Sequence, residues 1–290
     1  MWQIPLIGLA GGALEGSGMV IEKKILRKHS INYKNYTVYG FLSLVLVMLP
    51  FIFFFWKMEP EAYQPLNILI FLSVILFSIL ANLLIFYSLK RETVTELEPI
   101  RLMQPLFTIL LAVLFSFIFD GAYAAERNLM IVGLALIASI SLVASHIKKH
   151  HLNFDKYILA ALLGSFLFAV ELVISRSILH HYNSLTFYFI RALFVFLITL
   201  IIFRPQLESL KTNTKWLIMA GGAIWVIYRL ILYWGYLTYG IVFTTILFII
   251  SPIFIYVFAR IFLNEKITWR HILSSIIIVA CVIAAILLNQ

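Results

Sequence analysis

The chain has 290 residues, of which 63% are hydrophobic and 12% are charged, and its formal net charge is +9 at pH 7. A soluble domain is about half apolar and about one quarter charged, so this composition indicates that most of the chain lies in lipid. The basic residues stand in short loops between apolar runs, which favours membrane topology over nucleic-acid binding, and the single cysteine, Cys281, excludes an intramolecular disulfide.

Ten apolar segments follow one another along the chain, and their lengths suit helices that cross the ~30 Å hydrocarbon core of a bilayer. Strands of a membrane barrel would be about ten residues long with alternating polarity, a pattern that these segments lack. No basic region precedes the first segment, so we expect it to be retained as a helix. The segments are 4–20, 36–56, 66–89, 94–119, 128–145, 157–179, 185–203, 216–236, 241–263 and 272–288.

The order of features in the first five segments recurs in the last five. A shift of 147 residues places Pro105, in segment four, on Pro252, in segment nine. The sequence therefore predicts an all-α membrane protein of ten transmembrane helices, built as two five-helix repeats over residues 1–148 and 156–290. Because each repeat has an odd number of helices, the two repeats are expected to have opposite orientations in the membrane, as in many transporters.

Two runs of the sequence, one in each half, resemble the EamA domain of the drug/metabolite transporter superfamily. They are NLLIFYSLKRETVTELEPIRLMQPLFTILLAVLFSFIFD and YWGYLTYGIVFTTILFIISPIFIYVFARIFLNEKIT. Each run has an aromatic-rich segment, a short polar turn, a helix with one proline after its first turns, and a closing acid, Asp120 or Glu265. The resemblance covers nearly the whole chain. It implies ten helices around a central cavity, alternating access, and substrates that range over amino acids, drugs, nucleotide sugars and quaternary amines.

The charges in the loops predict how the chain sits in the membrane. Fifteen Lys and Arg residues lie in the loops after segments one, three, five, seven and nine, whereas three lie at the opposite face. Because cytoplasmic loops carry the excess of Lys and Arg, this bias places both termini of a multi-pass cell-membrane protein outside. Several members of the resembled family are described with both termini inside, and that orientation is the alternative.

Glu171 is the leading candidate for a functional group inside the membrane. At ~1.5 Å per residue it lies roughly 20 Å from one end of segment six and about 12 Å from the other, too deep to reach the surface easily. It could bind a substrate cation, carry a proton, or pair with an arginine and lock two helices. Glu15, in the last third of segment one, could present a second acid to the same cavity or be solvated near the membrane edge.

Arg229, in the middle of segment eight, is the main base at depth, and a shift of 147 residues places Asn82 on it. An arginine in this position needs an acid or a carboxylate ligand. An internal pair of Arg229 with Glu171 favours a cationic substrate, whereas two free groups favour a zwitterion. Trp225 and Tyr228 lie on the same segment, where their rings could hold an amine by cation–π contacts.

The start of segment four carries candidate gate residues, Glu96, Glu98 and Arg101. Glu98 and Arg101 are three residues apart and can pair on one helix face, and acids at a helix start also suit the helix dipole. The alternative is a gate in which one of these acids meets a base on the facing half. Pro105 and Pro252 are expected to bend their helices within the membrane and are the hinge candidates.

The sequence as a whole predicts a secondary transporter for a small polar metabolite, either cationic or zwitterionic, that is coupled to protons or uncoupled. It contains no glycine-rich phosphate loop, HExxH motif or GxSxG motif, so we expect neither an enzyme nor a cofactor. The expected partners are the substrate, the lipid bilayer and, in a coupled transporter, protons. The alternative is a non-transporting membrane scaffold or sensor in which Glu171 and Arg229 form a structural ion pair.

Overall fold

The structure, a computed structural model, describes residues 3–28, 31–91, 100–101, 103–119, 121–146, 155–205, 210–263 and 269–288. Regular secondary structure within these ranges is helical, with one isolated antiparallel bridge between Met58 and Tyr182. The α-helices are α1 (Gln3–Lys28), α2 (Tyr33–Phe55), α3 (Pro65–Arg91), α4 (Met103–Ile118), α5 (Leu129–His146), α6 (Lys156–Leu179), α7 (Ser184–Phe203), α8 (Thr212–Tyr239), α9 (Ile241–Phe248), α10 (Ser251–Leu263) and α11 (Trp269–Leu288). Short 3₁₀-helices occupy Pro60–Tyr63 and Ala124–Arg127.

Seven helical spans among the described residues are long and apolar enough to cross a membrane, with α9 and α10 together forming one of them. Three shorter apolar helices, α4, α5 and α11, accompany them. The predicted segment 241–263 is divided into two helices before Ser251-Pro252, because proline has no N–H to continue the helical ladder. The bend expected at Pro252 is therefore a break, whereas Pro105 is the third residue of α4, and residues 100–101 are helical as well.

Contacts between helices repeat from one half to the other. α1, the first helix of the first half, packs on α8 and α10. α6, the first helix of the second half, packs on α3 and α4. α2 packs on its own counterpart, α7, with opposite chain direction. The side-chain amide of Asn183, before α7, donates to the carbonyl of Phe55 at the end of α2. At the other end the Lys34 ammonium group lies 5.7 Å from the ring centre of Phe203.

Small residues let α1 approach α9 and α10 closely. A Cβ atom on Gly11 would lie 2.4 Å from the Phe248 ring, and one on Gly16 would lie 3.1 Å from the backbone nitrogen of Ile255. Small residues at helix interfaces allow close packing of this kind in membrane proteins. The contact fixes the face that α1 turns towards the centre of the bundle, where Glu15 lies.

We call the end of the bundle where α2, α6 and α8 finish the bridged end, because loops from both halves meet there. Met58 and Tyr182 form the isolated bridge, and the backbone N–H of Glu59 donates to the carbonyl of His181 at 2.9 Å. The opposite end, where α1, α3 and α7 finish, is the basic end. There the Lys23 ammonium group donates to the carbonyl of Leu89 at 2.6 Å, which ties α1 to α3.

Candidate functional site

Glu171 lies at the centre of the bundle, on α6, with no solvent exposure. Its Oε1 atom is 3.3 Å from Nε of Arg191 on α7, and its Oε2 atom is 3.8 Å from Nη1 of Arg229 on α8. Tyr233 donates its hydroxyl to Oε1 at 3.4 Å. Two arginines from two different helices therefore surround one carboxylate. The predicted association of Glu171 with Arg229 is present as a long ion pair, to which the structure adds a second base.

Arg191 is a functional-site residue that was not among the candidates predicted from the sequence. It lies seven residues after the start of α7, where a long side chain could reach the membrane surface. In the structure it is only 2% exposed. Its Nη1 atom donates to the Tyr233 hydroxyl at 2.9 Å and its Nη2 atom donates to the Ser78 hydroxyl at 2.7 Å. Arg191 thus joins α3, α6, α7 and α8 at one point.

Arg229 is held more loosely than Arg191, although it is only 8% exposed. Its guanidinium carbon lies 5.7 Å from the ring centre of Phe168 and 6.0 Å from that of Tyr233. Its Nη1 atom makes no hydrogen bond to the part of the chain that the structure describes. Cation–π contacts stabilise such a guanidinium without using its donors, so the N–H groups that do not face Glu171 stay available to an anion.

A central cavity lies beside the two arginines and encloses about 780 Å³, counting its open side. Residues of α1, α2, α3, α4, α6, α7 and α8 line it. Its charged lining residues among those described are Glu15, Glu22, Arg101, Arg191 and Arg229. Its aromatic lining residues are Tyr36, Phe41, Phe86, Phe168, Tyr188, Trp225 and Tyr228. Glu171 does not line the cavity, because Arg191 and Arg229 lie in front of it.

Glu15 faces this cavity from α1 and also lines a second space of about 530 Å³ that adjoins it. Its carboxylate lies beside the hydroxyl groups of Tyr228 and Ser251, and the charge of Arg101 is close enough to act on it. Helix α1 carries this acid to the centre of the bundle because its glycines pack closely on α9 and α10. The two acids predicted to share a cavity are therefore separated: Glu15 lines it and Glu171 lies behind its wall.

Glu22 is a second cavity acid on α1, which the sequence argument did not single out. It lies seven residues after Glu15, so the two side chains share one helix face about 10 Å apart along the axis. Glu22 is 6% exposed and lies near the Trp225 indole and Arg101. In the sequence it stands beside Lys23 and Lys24, beyond the end of the predicted first segment. The seven-residue spacing from Glu15 was the signal that could have identified it.

The remaining predicted site residues lie in or around the same cavity. Asn82 lines the cavity from α3, and its amide donates to the backbone carbonyl of Ser78 at 2.7 Å. Trp225 and Tyr228 line it from α8, with their rings 5.2 Å apart in an edge-to-face arrangement. Asn82 is linked through Ser78 to Arg191, because the Ser78 hydroxyl accepts from that guanidinium.

Arg101 is the gate candidate that the structure describes, whereas Glu96 and Glu98 lie outside the described residues. Arg101 lines both the central cavity and the adjoining space, as do Glu15, Gln104 and Tyr228. Its charge acts on both Glu15 and Glu22. Arg101 therefore stands at the boundary between two spaces with acids of α1 as its neighbours.

Aromatic packing seals the bundle between the arginine cluster and the bridged end. Phe187 packs edge-to-face with Phe71, Tyr182 and Tyr233, with ring centres 5.2–5.5 Å apart. Tyr123, from the first half, donates its hydroxyl to the carbonyl of Val173 on α6 at 2.7 Å. These contacts join residues of both halves, so the cavity has a closed wall on this side.

Glu126 holds the start of α9 at the bridged end. Its two carboxylate oxygens accept the backbone N–H groups of Ile241 and Val242 at 2.6 and 2.8 Å. Burial raises the pKa of this carboxyl group above its ordinary value, although the two N–H donors and the charge of Arg176 act in the opposite direction. Gly240 precedes the helix with φ of 88°, a value that favours glycine. A loop of the first half thus caps a helix of the second.

The fold and the cavity define a multi-pass helical membrane protein with a polar centre. The sequence model of the EamA-like transporter family matches the chain twice, over residues 2–144 and 155–287. The chain belongs to this family of drug/metabolite-type membrane transporters, as the two runs quoted above predicted.

Comparison with solved structures supports the fold. One structure, described only as "Crystal structure of protein", is 16% identical in sequence, with a TM-score of 0.66. The match covers 99% of this chain and 98% of that chain. At this identity the likeness shows the fold alone. No curated protein matches the chain.

Proposed function

We propose that the protein is a secondary transporter that moves a small polar metabolite, cationic or zwitterionic, across the cell membrane by alternating access. The observation that carries this proposal is the cavity at the centre of the bundle, which contains buried charges of both signs and a row of aromatic rings. Ionisable side chains at membrane depth are costly and mark pathways for ions and polar solutes. Membership of the EamA-like family supports the same function.

The position of the cavity supports a state that is open towards the basic end. Its lining residues on α2, Tyr36 to Leu44, lie in the first half of that helix, next to the basic end. Glu22 on α1 and Phe86 on α3 lie near the same end. At the bridged end, the Phe187 cluster and the joined loops close the path. Alternating access then requires these contacts to separate while the basic end closes.

The orientation of the chain follows from the loop charges. We propose that the basic end faces the cytoplasm and that both termini lie outside, because Lys and Arg are concentrated in loops at that end. Ten transmembrane helices in two inverted repeats are supported by the antiparallel packing of α2 on α7, which occupy equivalent positions in the two halves. In this orientation the closed, bridged end is extracellular.

Glu15 and Glu22 are the acids placed to bind an ammonium group or to carry a coupling proton, because both line the cavity. Glu171 supports the site from behind its wall, where it fixes Arg191 and Arg229. Asn82, Trp225 and Tyr228 complete the walls with an amide and two aromatic rings. Pro105 and Pro252, at the starts of α4 and α10, are the proposed hinges of the rocking motion.

Solute counterflow into proteoliposomes tests this function. Liposomes that contain the protein are loaded with an unlabelled amino acid or amine and exposed to the labelled form, with protein-free liposomes as the control. We expect accumulation of at least one solute in the wild type and its loss in Glu15→Gln, with Glu61→Gln as the matched variant of an exposed acid. Absence of counterflow for every amino acid and amine, in protein that remains folded, would instead favour the scaffold or sensor.

A further inference from the structure

We infer that Arg229 is an anion-binding residue and that the substrate is a zwitterion whose carboxylate docks on its guanidinium group. This inference rests on the proposed transport function and narrows its substrate class, since it rejects a solute that carries only a positive charge. It assigns Arg191 a different task, as the positioning residue that holds Glu171 and leaves Arg229 available.

The formal charges of the arginine cluster do not balance. Glu171 supplies one negative charge, whereas Arg191 and Arg229 supply two positive charges. All three side chains are at least nine-tenths buried, so bulk water and counter-ions screen them little. A buried charge without a partner is costly, and a binding site is one reason for a protein to keep it. An internal pair of Glu171 with Arg229 alone would favour a cationic substrate, but with Arg191 as a second base the cluster presents one surplus positive charge to the cavity.

The geometry shows which arginine carries the surplus. Arg191 lies nearer to the carboxylate, at 3.3 Å against 3.8 Å, and its two terminal nitrogens are occupied by Tyr233 and Ser78. Arg229 faces Glu171 through its Nη1 atom, at 3.8 Å and without a hydrogen bond to the described residues. Its guanidinium group lies over two aromatic rings and lines the cavity, so a carboxylate that enters the cavity could accept a charge-assisted hydrogen bond from an N–H group that does not face Glu171.

Opposite charge lies across the same cavity. Glu15 and Glu22 supply two negative charges, and Arg101 is the described cavity base whose charge acts most strongly on both. This group has one surplus negative charge when both acids are ionised. The charge of Arg229 also acts on Glu15, and both residues line the same cavity, so the two poles belong to one site. A solute with an ammonium group and a carboxylate complements both poles, whereas a simple amine leaves Arg229 unmatched.

Binding to purified protein separates this inference from transport itself. The probes are the twenty standard amino acids, each compared with its amide, which keeps the ammonium group and lacks the carboxylate. Thermal unfolding in detergent measures binding as a rise in melting temperature. We expect at least one free acid to stabilise the wild type and its amide to stabilise it much less. In Arg229→Leu the affinity for that free acid should fall about 10- to 100-fold, as for the loss of a charge-assisted hydrogen bond.

Variants of Arg191 test whether it positions Glu171 while Arg229 binds the carboxylate. Arg191→Leu should lower the melting temperature more than Arg229→Leu does, because it removes the better-bonded partner of Glu171. It should also reduce the preference for the free acid over its amide, since Arg229 is then drawn onto Glu171. Arg191→Lys, which keeps the charge, should restore part of that preference. A residue with only a structural role would change stability without changing the ratio of the two affinities.

Several results would overturn the inference. These are equal stabilisation by acid and amide, no stabilisation by any free acid, or an unchanged affinity for the free acid in Arg229→Leu. Binding of a free acid without counterflow would refute the proposed transport function and leave the anion site standing. Counterflow of simple amines that is unaffected by Arg229→Leu would do the reverse.

Discussion

Helices α1 and α6 occupy equivalent positions in the two halves, yet they use their acids differently. On α6, Glu171 has no solvent exposure and is enclosed by two arginines, a tyrosine and a serine. On α1, Glu15 and Glu22 line the cavity and share a single described arginine as their main cationic neighbour. A carboxylate saturated by its own protein stabilises structure, whereas one that faces a cavity is available to a ligand.

The difference has a geometrical origin. α6 lies against α3, and its acid points to the side where α7 and α8 deliver their arginines. α1 is drawn against α9 and α10 by its glycines, and its acids remain on the face that borders the cavity. The second repeat thus supplies the arginines that are held by Glu171, and the first repeat supplies the acids that face the cavity. The predictions below test that division, beginning with the largest expected effect.

Replacing Glu171 with Leu should cause the largest loss of stability. It leaves Arg191 and Arg229 buried without their carboxylate, and breaking a buried ion pair in this way costs roughly 3–5 kcal/mol. The measurement is the free energy of unfolding in detergent micelles. Glu61→Leu, at an exposed acid of the bridged end, is the matched control and should change stability little. A Glu171→Leu variant as stable as the wild type would show that the arginines do not depend on this acid.

Replacing Glu15 with Gln should spare the fold and impair function. The change removes a charge that faces the cavity while keeping the shape of the side chain, and a lost charge-assisted hydrogen bond of about 1.5–3 kcal/mol corresponds to an affinity roughly 10- to 100-fold weaker. Substrate affinity, measured by counterflow at varied concentration, checks the size of the effect. Should Glu15→Gln unfold the protein as Glu171→Leu does, α1 and α6 would not differ as described.

The sequence predicted the helical membrane architecture and several of the residues that line the cavity, because apolar length and isolated charges are local signals. The depth of Glu171 and Arg229 along their segments was enough to predict that they could pair. The position of Arg191 along its segment did not predict its burial, because a residue seven positions after a helix start could equally reach the membrane surface. Position along the segment also did not predict that Glu22 lines the cavity, because its basic neighbours in sequence lie on other faces of the helix. The position of a residue along its segment does not determine which face of the helix packs against the other half of the bundle.

Replacing Gly11 with Ala should test the close packing that directs α1. The added Cβ would lie 2.4 Å from the Phe248 ring, and overpacking of this kind costs about 1–3 kcal/mol. Gly133→Ala is the control, since nothing lies within 4 Å of its Cβ position and alanine is the better helix former. Unfolding measurements should show a loss of stability for Gly11→Ala and no loss for Gly133→Ala. Equal results would mean that α1 can shift away from α9 without cost.

Replacing Glu126 with Gln should have the smallest effect and should depend on pH. The amide oxygen can accept one of the two N–H groups at the start of α9, so the loss is about 1 kcal/mol. Because the folded-state pKa of Glu126 is raised, the folded state binds its proton more tightly than the unfolded state does. The stability from this proton is present below the ordinary carboxyl pKa and declines as pH rises through the raised value.

Unfolding of the wild type and Glu126→Gln across a pH series measures this dependence. The stability advantage of the wild type should decrease as pH rises from the ordinary carboxyl pKa through the raised pKa, and should be constant above it. Glu61→Gln, at an exposed acid of the same end of the bundle, serves as the control and should leave the pH profile of the wild type unchanged. An advantage that increases with pH over this range would contradict the raised pKa.

The most direct test of the central claim is solute counterflow per folded protein for Glu15→Gln and for the wild type, using pooled labelled amino acids. The account predicts uptake by the wild type and a loss of uptake in Glu15→Gln, with both proteins showing the same melting temperature. Uptake that is unchanged in the variant would contradict the claim that the acids of α1 face the transported solute.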